Sequence, residues 1–183
     1  MNSKTSWKKL AQKTRVPIGT FLGILFLLWM HPSLRSLGIG SAVALAGALL
    51  RLWAAGHIEK GRVLAQSGPY AYTRNPLYLG SFIMALGIII AGQGYWLLLP
   101  FGVFFIGFYL PVMRAEEQDL FQAFGGEFLK YSKRVPLFFP RRQAAGLAYS
   151  TFLWARVRKN REHRNLASLV IVEAILILRF LIG

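Results

Sequence analysis

The sequence predicts an all-α, polytopic integral membrane protein with about five transmembrane helices. Of its 183 residues, 55% are hydrophobic and only 16% are charged, and the apolar residues are grouped in long runs. Soluble domains of this size do not usually contain such runs. The formal net charge of +15 comes from 22 Lys and Arg against 7 acids, and these charges lie mostly between the apolar runs. This placement favours a membrane surface, and not nucleic acid, as the partner of the positive charge.

The apolar runs differ in what they predict. The first follows a basic segment and has no small-x-small cleavage site after it, so we expect an uncleaved helix. At about 1.5 Å per residue this run is short for a bilayer. The second is rich in Gly, Ala and Ser, which favours close contact with another helix. The predicted spans are 16–31, 37–55, 77–91, 95–113 and 166–182.

The third and fourth spans should form a helical hairpin. The tight turn Gly92-Gln93-Gly94 joins them. Pro100 and Pro111 should kink or end the fourth helix, because proline removes a backbone donor.

Residues 114–164 are mostly amphipathic and basic, and we expect them to lie on the membrane. The pair Gly125-Gly126 should break a helix there. Lys and Arg are abundant before the first span, between 51 and 74, and in 114–164, and they are rare in the other connections. The positive-inside rule therefore places the N-terminus and both basic segments in the cytoplasm and the C-terminus outside. No repeat divides the chain, so 1–183 should be one domain.

The stretch 68–80 concentrates turn formers, aromatic residues and one cation immediately before the third span. Pro69 and Pro76 disfavour helix in the residues before them, so an ordered loop should become helical near Pro76. Arg74 and Asn75 would then lie at the start of a helix, where the exposed amides and the dipole favour an anion. The alternative is a turn at the membrane surface whose Arg74 binds lipid headgroups.

The motif Arg74-Asn75-Pro76-Leu77-Tyr78-Leu79-Gly80, followed by Glu116-Glu117 and by 131–136, resembles the isoprenylcysteine carboxyl methyltransferase family and its relatives, the phospholipid N-methyltransferases. The resemblance covers roughly residues 50–140. It implies an integral membrane enzyme that takes a methyl group from S-adenosylmethionine, with a cytoplasmic cofactor-binding segment. Many family members have His where this chain has Asn75, and Asn cannot carry a proton at neutral pH.

Topology should bring 68–80 and 114–142 together, because these segments lie at the two ends of the predicted hairpin. Glu116 and Glu117 can bind the amino group or ribose hydroxyls of the cofactor, Arg74 or Arg134 its carboxylate, and Tyr78, Tyr131 and 135–139 its adenine. The alternative for the two glutamates is a solvated, salt-bridged helix start. With the resemblance, the candidate cofactor-binding residues are Arg74, Asn75, Pro76, Tyr78, Gly80, Glu116, Glu117, Tyr131, Arg134 and Pro136.

The substrate decides which residues would be catalytic. A carboxylate is ionised at pH 7 and needs only a cation such as Arg51 or Arg134. A phospholipid amine must first lose a proton, which requires a base such as Glu173, Glu117 or His57. The many Arg and few bases favour a lipophilic carboxylate of the isoprenylcysteine type, such as a prenylated substrate, although Arg51 could instead extend to the lipid headgroups.

Glu173 lies near the middle of the fifth span, where an ionisable group is costly unless it is paired or faces a cavity. It is either a partner for a basic residue such as Arg51 or a residue of the substrate cavity. The chain has no Cys, which excludes disulfides and thiolate metal sites, and its three His show no metal-ligand spacing.

Two other functions remain open from the sequence. One is a reductase of isoprenoid or sterol double bonds with a nicotinamide cofactor, for which the chain is short and few contacts to a 2′-phosphate can be assigned. The other is a non-enzymatic protein whose basic loops bind anionic membrane lipids. The net charge of +15 is the observation that suggests it.

Overall fold

The computed structural model describes residues 17–59, 63–141 and 151–183, and every regular element within these ranges is helical. The basic N-terminal segment and Arg142 lie outside them. The helices are α1 Pro17–Trp29, α2 Leu34–His57, α3 Pro76–Ala91, α4 Leu98–Phe104, α5 Leu110–Arg134, α6 Trp154–Lys159 and α7 Glu162–Ile182. Short 3₁₀ turns, Gly68–Ala71 and Tyr95–Leu97, precede α3 and α4, and a π-helical turn, Phe105–Tyr109, joins α4 to α5.

Three stretches within the described ranges are long and apolar enough to cross a membrane: α2, the continuous helix Tyr95–Arg134, and α7. The protein is therefore an all-α integral membrane protein. Helices α1 and α3 are apolar but shorter, and the 16 residues of α3 rise only about 24 Å against a hydrocarbon core of about 30 Å. The count of five spans stays a prediction.

Close packing of α2 against α3 uses the small residues of the second run. A Cβ atom placed on Gly47 would lie 2.6 Å from the carbonyl oxygen of Gly80, and one placed on Gly80 would lie 2.7 Å from that of Gly47. Only glycine permits this approach. Gly80, which was a candidate for cofactor binding, therefore packs α3 against α2.

The turns that follow α1 and α3 lie side by side. The backbone N–H of His31 donates to the carbonyl of Gly92 (3.0 Å), and the Ser36 hydroxyl donates to that of Ala91 (2.9 Å). Gln93 donates from its amide to the Ser33 hydroxyl (2.8 Å). These two turns therefore share one end of the helix bundle, and the connection from α2 to α3 lies at the opposite end.

The fourth predicted span does not end at Pro111. The π-helical turn lies directly before this proline, where a missing N–H leaves a carbonyl to be accommodated, and the helix continues to Arg134. The expected break at the glycine pair is confirmed, because Gly125 has φ +50° and ψ −120°. Beyond this kink, Phe128, Tyr131 and Val135 pack in one cluster with Leu64.

Residues 153–160 dock on the end of α2. The N–H of Leu153 donates to the carbonyl of Gly56 (3.0 Å), and the Asn160 amide donates to that of Ala55 (3.0 Å). Helix α7 then begins at Glu162, four residues before the start expected from hydropathy. The placement of 114–164 at the cytoplasmic membrane surface stays a prediction.

Candidate active site

Four polar side chains from α5 and from the residues around the start of α3 meet in what we call the Arg74 cluster: Arg74, Tyr78, Glu116 and Glu117. Nη1 of Arg74 lies 2.6 Å from Oε1 of Glu117 in a partly buried ion pair. The Tyr78 hydroxyl donates to Oε1 of Glu116 (2.8 Å). The structure thus brings together the two segments expected to meet.

The loop before α3 is held to the chain after α5 by hydrogen bonds from one backbone N–H and one side chain. The N–H of Arg74 donates to the carbonyl of Pro136 (2.9 Å), and the Asn75 amide donates to that of Leu137 (3.0 Å). Helix α3 begins at Pro76, as expected from its fixed φ. Asn75 therefore serves here as a hydrogen-bond donor that orients the loop, a role that requires no proton transfer.

Burial affects the pKa of Glu117, one of the two acids of this cluster. Desolvation raises the pKa of the Glu117 carboxyl, while the charges of Arg74 and Arg114 oppose that rise. Glu117 lies beyond Met113, where the apolar part of the helix ends. Loss of either arginine would therefore leave the effect of burial on this pKa less opposed.

A second group, the Arg51 cluster, consists of Arg51, Ser81, Glu162 and Asn165. Arg51 donates from Nη2 and Nε to the two carboxylate oxygens of Glu162 (2.8 and 3.1 Å) and from Nη1 to the Ser81 hydroxyl and the carbonyl of Leu77. The Asn165 amide also donates to Glu162 (3.0 Å). This cluster joins α2, α3 and α7.

Of the two alternatives for Glu173, a pairing with a basic residue such as Arg51 is not found within the described residues. Glu173 accepts a hydrogen bond from the Ser41 hydroxyl instead (2.6 Å) and is not among the residues that line the cavity described next. The reason is the position of each residue along α7. Glu162 begins this helix at the level of Arg51, whereas Glu173 lies 11 residues further on, about 16 Å along the helix axis.

A cavity of about 1430 Å³ contains both clusters in its lining. This volume exceeds the range of about 300–1,000 Å³ that is usual for one drug-sized ligand, so it has room for two. Most of the other lining residues are apolar, among them Gly19 of α1, Phe104 of α4, Met113 of α5 and Val172 of α7.

The remaining sequence candidates fall in different places. Asn75 and Pro76 line the cavity, as does Tyr131, whose hydroxyl donates to the Tyr70 carbonyl (2.8 Å). Arg134 is exposed at the end of α5 and is not part of the lining. Pro136 contributes its carbonyl to the loop contact given above. His57 is buried against Phe152, with Nδ1 2.9 Å from the Trp53 carbonyl, and it also lies outside the lining.

Several residues of the lining were not predicted from the sequence, among them Ser81, Asn165, Glu162 and Tyr70. Glu162 was assigned to a basic surface segment, although it is the only acid between Glu127 and Glu173, a signal that could have identified it. Tyr70 was seen only as part of an aromatic loop, yet its side chain is just 5% exposed.

A model of the phospholipid methyltransferase family matches residues 18–127, which contain the Arg74 cluster and Arg51. The chain belongs to this methyltransferase family. A cobalt-zinc-cadmium resistance protein of Cupriavidus metallidurans is 36% identical over 116 residues, which is 62% of this chain and 52% of the relative. The protein-S-isoprenylcysteine O-methyltransferase of Schizosaccharomyces pombe is 33% identical over 96 residues, which is 52% of this chain and 41% of that enzyme.

A nickel-cobalt-cadmium resistance protein of Alcaligenes xylosoxydans xylosoxydans is 34% identical over 62% of this chain and 53% of its own length. The chain thus spans about half the length, or less, of these curated relatives. No solved structure matches it. In this phospholipid methyltransferase family member, Glu162 and Asn165 lie beyond the matched residues, so α7 adds one wall of the cavity from outside the shared region.

Proposed function

We propose that this protein is an integral membrane methyltransferase that transfers a methyl group from S-adenosylmethionine to a lipophilic acceptor. The observation that carries the proposal is the Arg74 cluster in the wall of a cavity large enough for two ligands. Its cation, two carboxylates and aromatic ring correspond in chemistry to the carboxylate, amino group, ribose hydroxyls and adenine of this cofactor. Arg74 would hold the carboxylate, because its planar fork suits two oxygens.

S-adenosylmethionine supplies an already activated methyl group, so the chain mainly has to orient two ligands and exclude water. Glu116 and Glu117 would bind the cofactor's donor groups, with Tyr78 beside them. The apolar residues Phe104, Met113 and Val172 would hold the hydrocarbon part of the acceptor. The Arg51 cluster lies at the same cavity and would face the acceptor's polar end.

We favour a carboxylate of the isoprenylcysteine type as the acceptor group. His57 and Glu173, the bases considered for an amine, lie outside the cavity lining. Of the four acidic residues in the lining, Glu117 and Glu162 are paired with arginines, Glu116 accepts a hydrogen bond from Tyr78, and Asp119 is the fourth. A carboxylate acceptor is ionised near pH 7 and can attack without losing a proton, whereas an amine needs a base.

The family description favours a second candidate, methylation of a phospholipid amine. The two products are chemically distinct, because base hydrolyses a methyl ester and leaves a methylamine intact. As to the metal-resistance relatives, the described residues contain no group of three or more His, Cys, Asp or Glu placed to hold a metal ion.

The test is calorimetric binding of S-adenosylhomocysteine to the purified protein, followed by transfer of a radiolabelled methyl group to a total membrane extract. We expect saturable binding and a labelled lipid product that base releases as methanol. A folded protein that binds neither S-adenosylmethionine nor S-adenosylhomocysteine would overturn the proposal, and a base-stable labelled lipid would favour the amine acceptor.

A further inference from the structure

Tyr70 is held rigidly in the 3₁₀ turn between α2 and α3. Its N–H donates to the carbonyl of Ser67 (3.2 Å), and its own carbonyl accepts the Tyr131 hydroxyl. Gly68 has φ +58°, and a Cβ atom there would lie 2.7 Å from the His57 ring, so the turn is packed on the end of α2. The position of the phenol is therefore set by the fold.

The phenol hydroxyl of Tyr70 is buried and has no hydrogen-bond partner within the described residues. Burying an unpaired hydroxyl costs about 1–3 kcal/mol, and folded proteins leave few such groups. Tyr70 also lines the cavity. A fixed, unpaired donor in a cavity wall is the arrangement expected of a group that bonds a ligand.

Tyr70 lines the same cavity as both clusters, and their charges act on its hydroxyl. Burial raises the pKa of Tyr70 well above its usual value, and the nearby Tyr131, Glu116 and Glu162 raise it further, while Arg51 lowers it. Glu116 belongs to the Arg74 cluster, and Glu162 and Arg51 belong to the other. The phenol keeps its proton near neutral pH, so it is available as a donor and not as a base.

We propose that Tyr70 donates a hydrogen bond from its phenol to the carboxylate of the lipophilic acceptor and holds that group between the two clusters. This inference rests on the proposed function. The cofactor's own carboxylate is matched by Arg74, and its amino and hydroxyl groups by glutamates, which leaves the phenol donor for the acceptor. A protonated amine cannot accept this bond, so the phenol favours binding of a carboxylate at this place.

The transfer step is balanced without Tyr70 losing its proton. One carboxylate oxygen uses a lone pair to form a bond to the methyl carbon. The carbon–sulfur bond breaks, and its electron pair goes to sulfur, which becomes a neutral thioether. The second carboxylate oxygen accepts the bond from Tyr70 throughout, and it becomes the carbonyl oxygen of the ester.

The test compares Tyr70→Phe with Tyr72→Phe in the full-length protein. Tyr72 belongs to the same loop, is exposed and lies outside the cavity lining.

With N-acetyl-S-farnesylcysteine as the acceptor probe, Tyr70→Phe should lower kcat/KM about tenfold or more, because it removes one hydrogen bond to a charged group. Affinity for S-adenosylhomocysteine should stay within about twofold, and the melting temperature should be unchanged or higher, because no internal hydrogen bond is lost. Tyr72→Phe should match the wild type in all three measurements.

Several results would overturn the inference. Unchanged kcat/KM in Tyr70→Phe would show that the hydroxyl does not touch the acceptor, and an equal loss of S-adenosylhomocysteine affinity would assign it to the cofactor. A clear fall in melting temperature would show that the hydroxyl has a structural partner. Failure of the proposed function is distinguishable, because it appears in the wild type as absent cofactor binding or as transfer only to amines, and either result removes the inference as well.

Discussion

Each arginine in the cavity lining is neutralised by a carboxylate from another helix, Arg74 by Glu117 of α5 and Arg51 by Glu162 of α7. Both pairs are largely shielded from solvent, so removing one partner leaves an uncompensated charge in a partly dry site. At such sites the net effect of one charged residue is larger than at an exposed surface pair. Substitutions of the residues in these pairs should therefore have the largest effects on the proposed site.

Glu117→Gln should weaken S-adenosylhomocysteine binding by about tenfold or more, because a hydrogen bond to a charged group contributes about 1.5–3 kcal/mol. Calorimetry on folded protein measures this. Glu127→Gln is the matched control, since Glu127 accepts its hydrogen bond from Gln66 at an exposed position outside the cavity lining. Equal affinities for the two variants would mean that Glu117 is only a charge at the surface of α5.

The substitution Arg74→Lys distinguishes the effect of the positive charge of Arg74 from the effect of its side-chain geometry. Lysine keeps the positive charge but presents a point charge in place of a planar fork, and it cannot hold a carboxylate through two parallel hydrogen bonds. If Arg74 holds the cofactor's carboxylate, affinity should fall about tenfold while the protein stays folded. If Arg74 only anchors lipid headgroups, lysine will replace it without loss, and the measured affinity will be normal.

Local chemistry explains which site residues could be predicted from the sequence. Arg74 and Tyr78 lie at the start of α3, which Pro76 sets, and Glu116 and Glu117 follow the apolar part of the next long helix, so their meeting followed from topology. The sequence marks Glu162 as an isolated acid, but its pairing with Arg51 could not be predicted, because it depends on where α7 begins relative to α2.

At the scale of elements, Gly125 divides α5 into two parts that make different contacts. The part before it carries Glu116 and Glu117, and the part after it carries Phe128 and Tyr131, which pack against Leu64. The conformation of Gly125, with φ +50° and ψ −120°, is strained for any residue with a side chain. Sequence predicted this break from the glycine pair, but it also expected Pro111 to act as a break, and the π-helical turn absorbs that proline.

Gly125→Ala should destabilise the protein by about 1–3 kcal/mol, as expected for a residue forced into a rare backbone conformation. The control is Gly126→Ala, because a Cβ atom at either position has no other atom within 4 Å and only Gly125 has a positive φ. Alanine at 126 should be neutral or stabilising by up to about 1 kcal/mol. Denaturant or thermal unfolding in detergent measures both, and equal stabilities would show that the break is not held in this conformation.

At the scale of the whole molecule, the two ends of the bundle differ in chemistry. One end holds the turns after α1 and α3, which are joined by the His31–Gly92 contact. The other end holds the loop with Arg74 and the chain after α5. Helix α7 runs from the second end to the first, because Glu162 pairs with Arg51 and Leu176 packs in the cluster with Met30 and Leu37.

This arrangement predicts on which side of the membrane each end lies. The positive-inside rule puts the basic end with the Arg74 loop in the cytoplasm, and five spans then place His31 and Gly183 together on the outside. Because the chain has no Cys, one introduced Cys is a unique label. In intact cells a membrane-impermeant maleimide should modify His31→Cys and Gly183→Cys, and it should modify Lys133→Cys only after permeabilisation. Labelling of Lys133→Cys in intact cells would reverse the orientation, and opposite behaviour of the His31 and Gly183 variants would show that the number of crossings between them is odd.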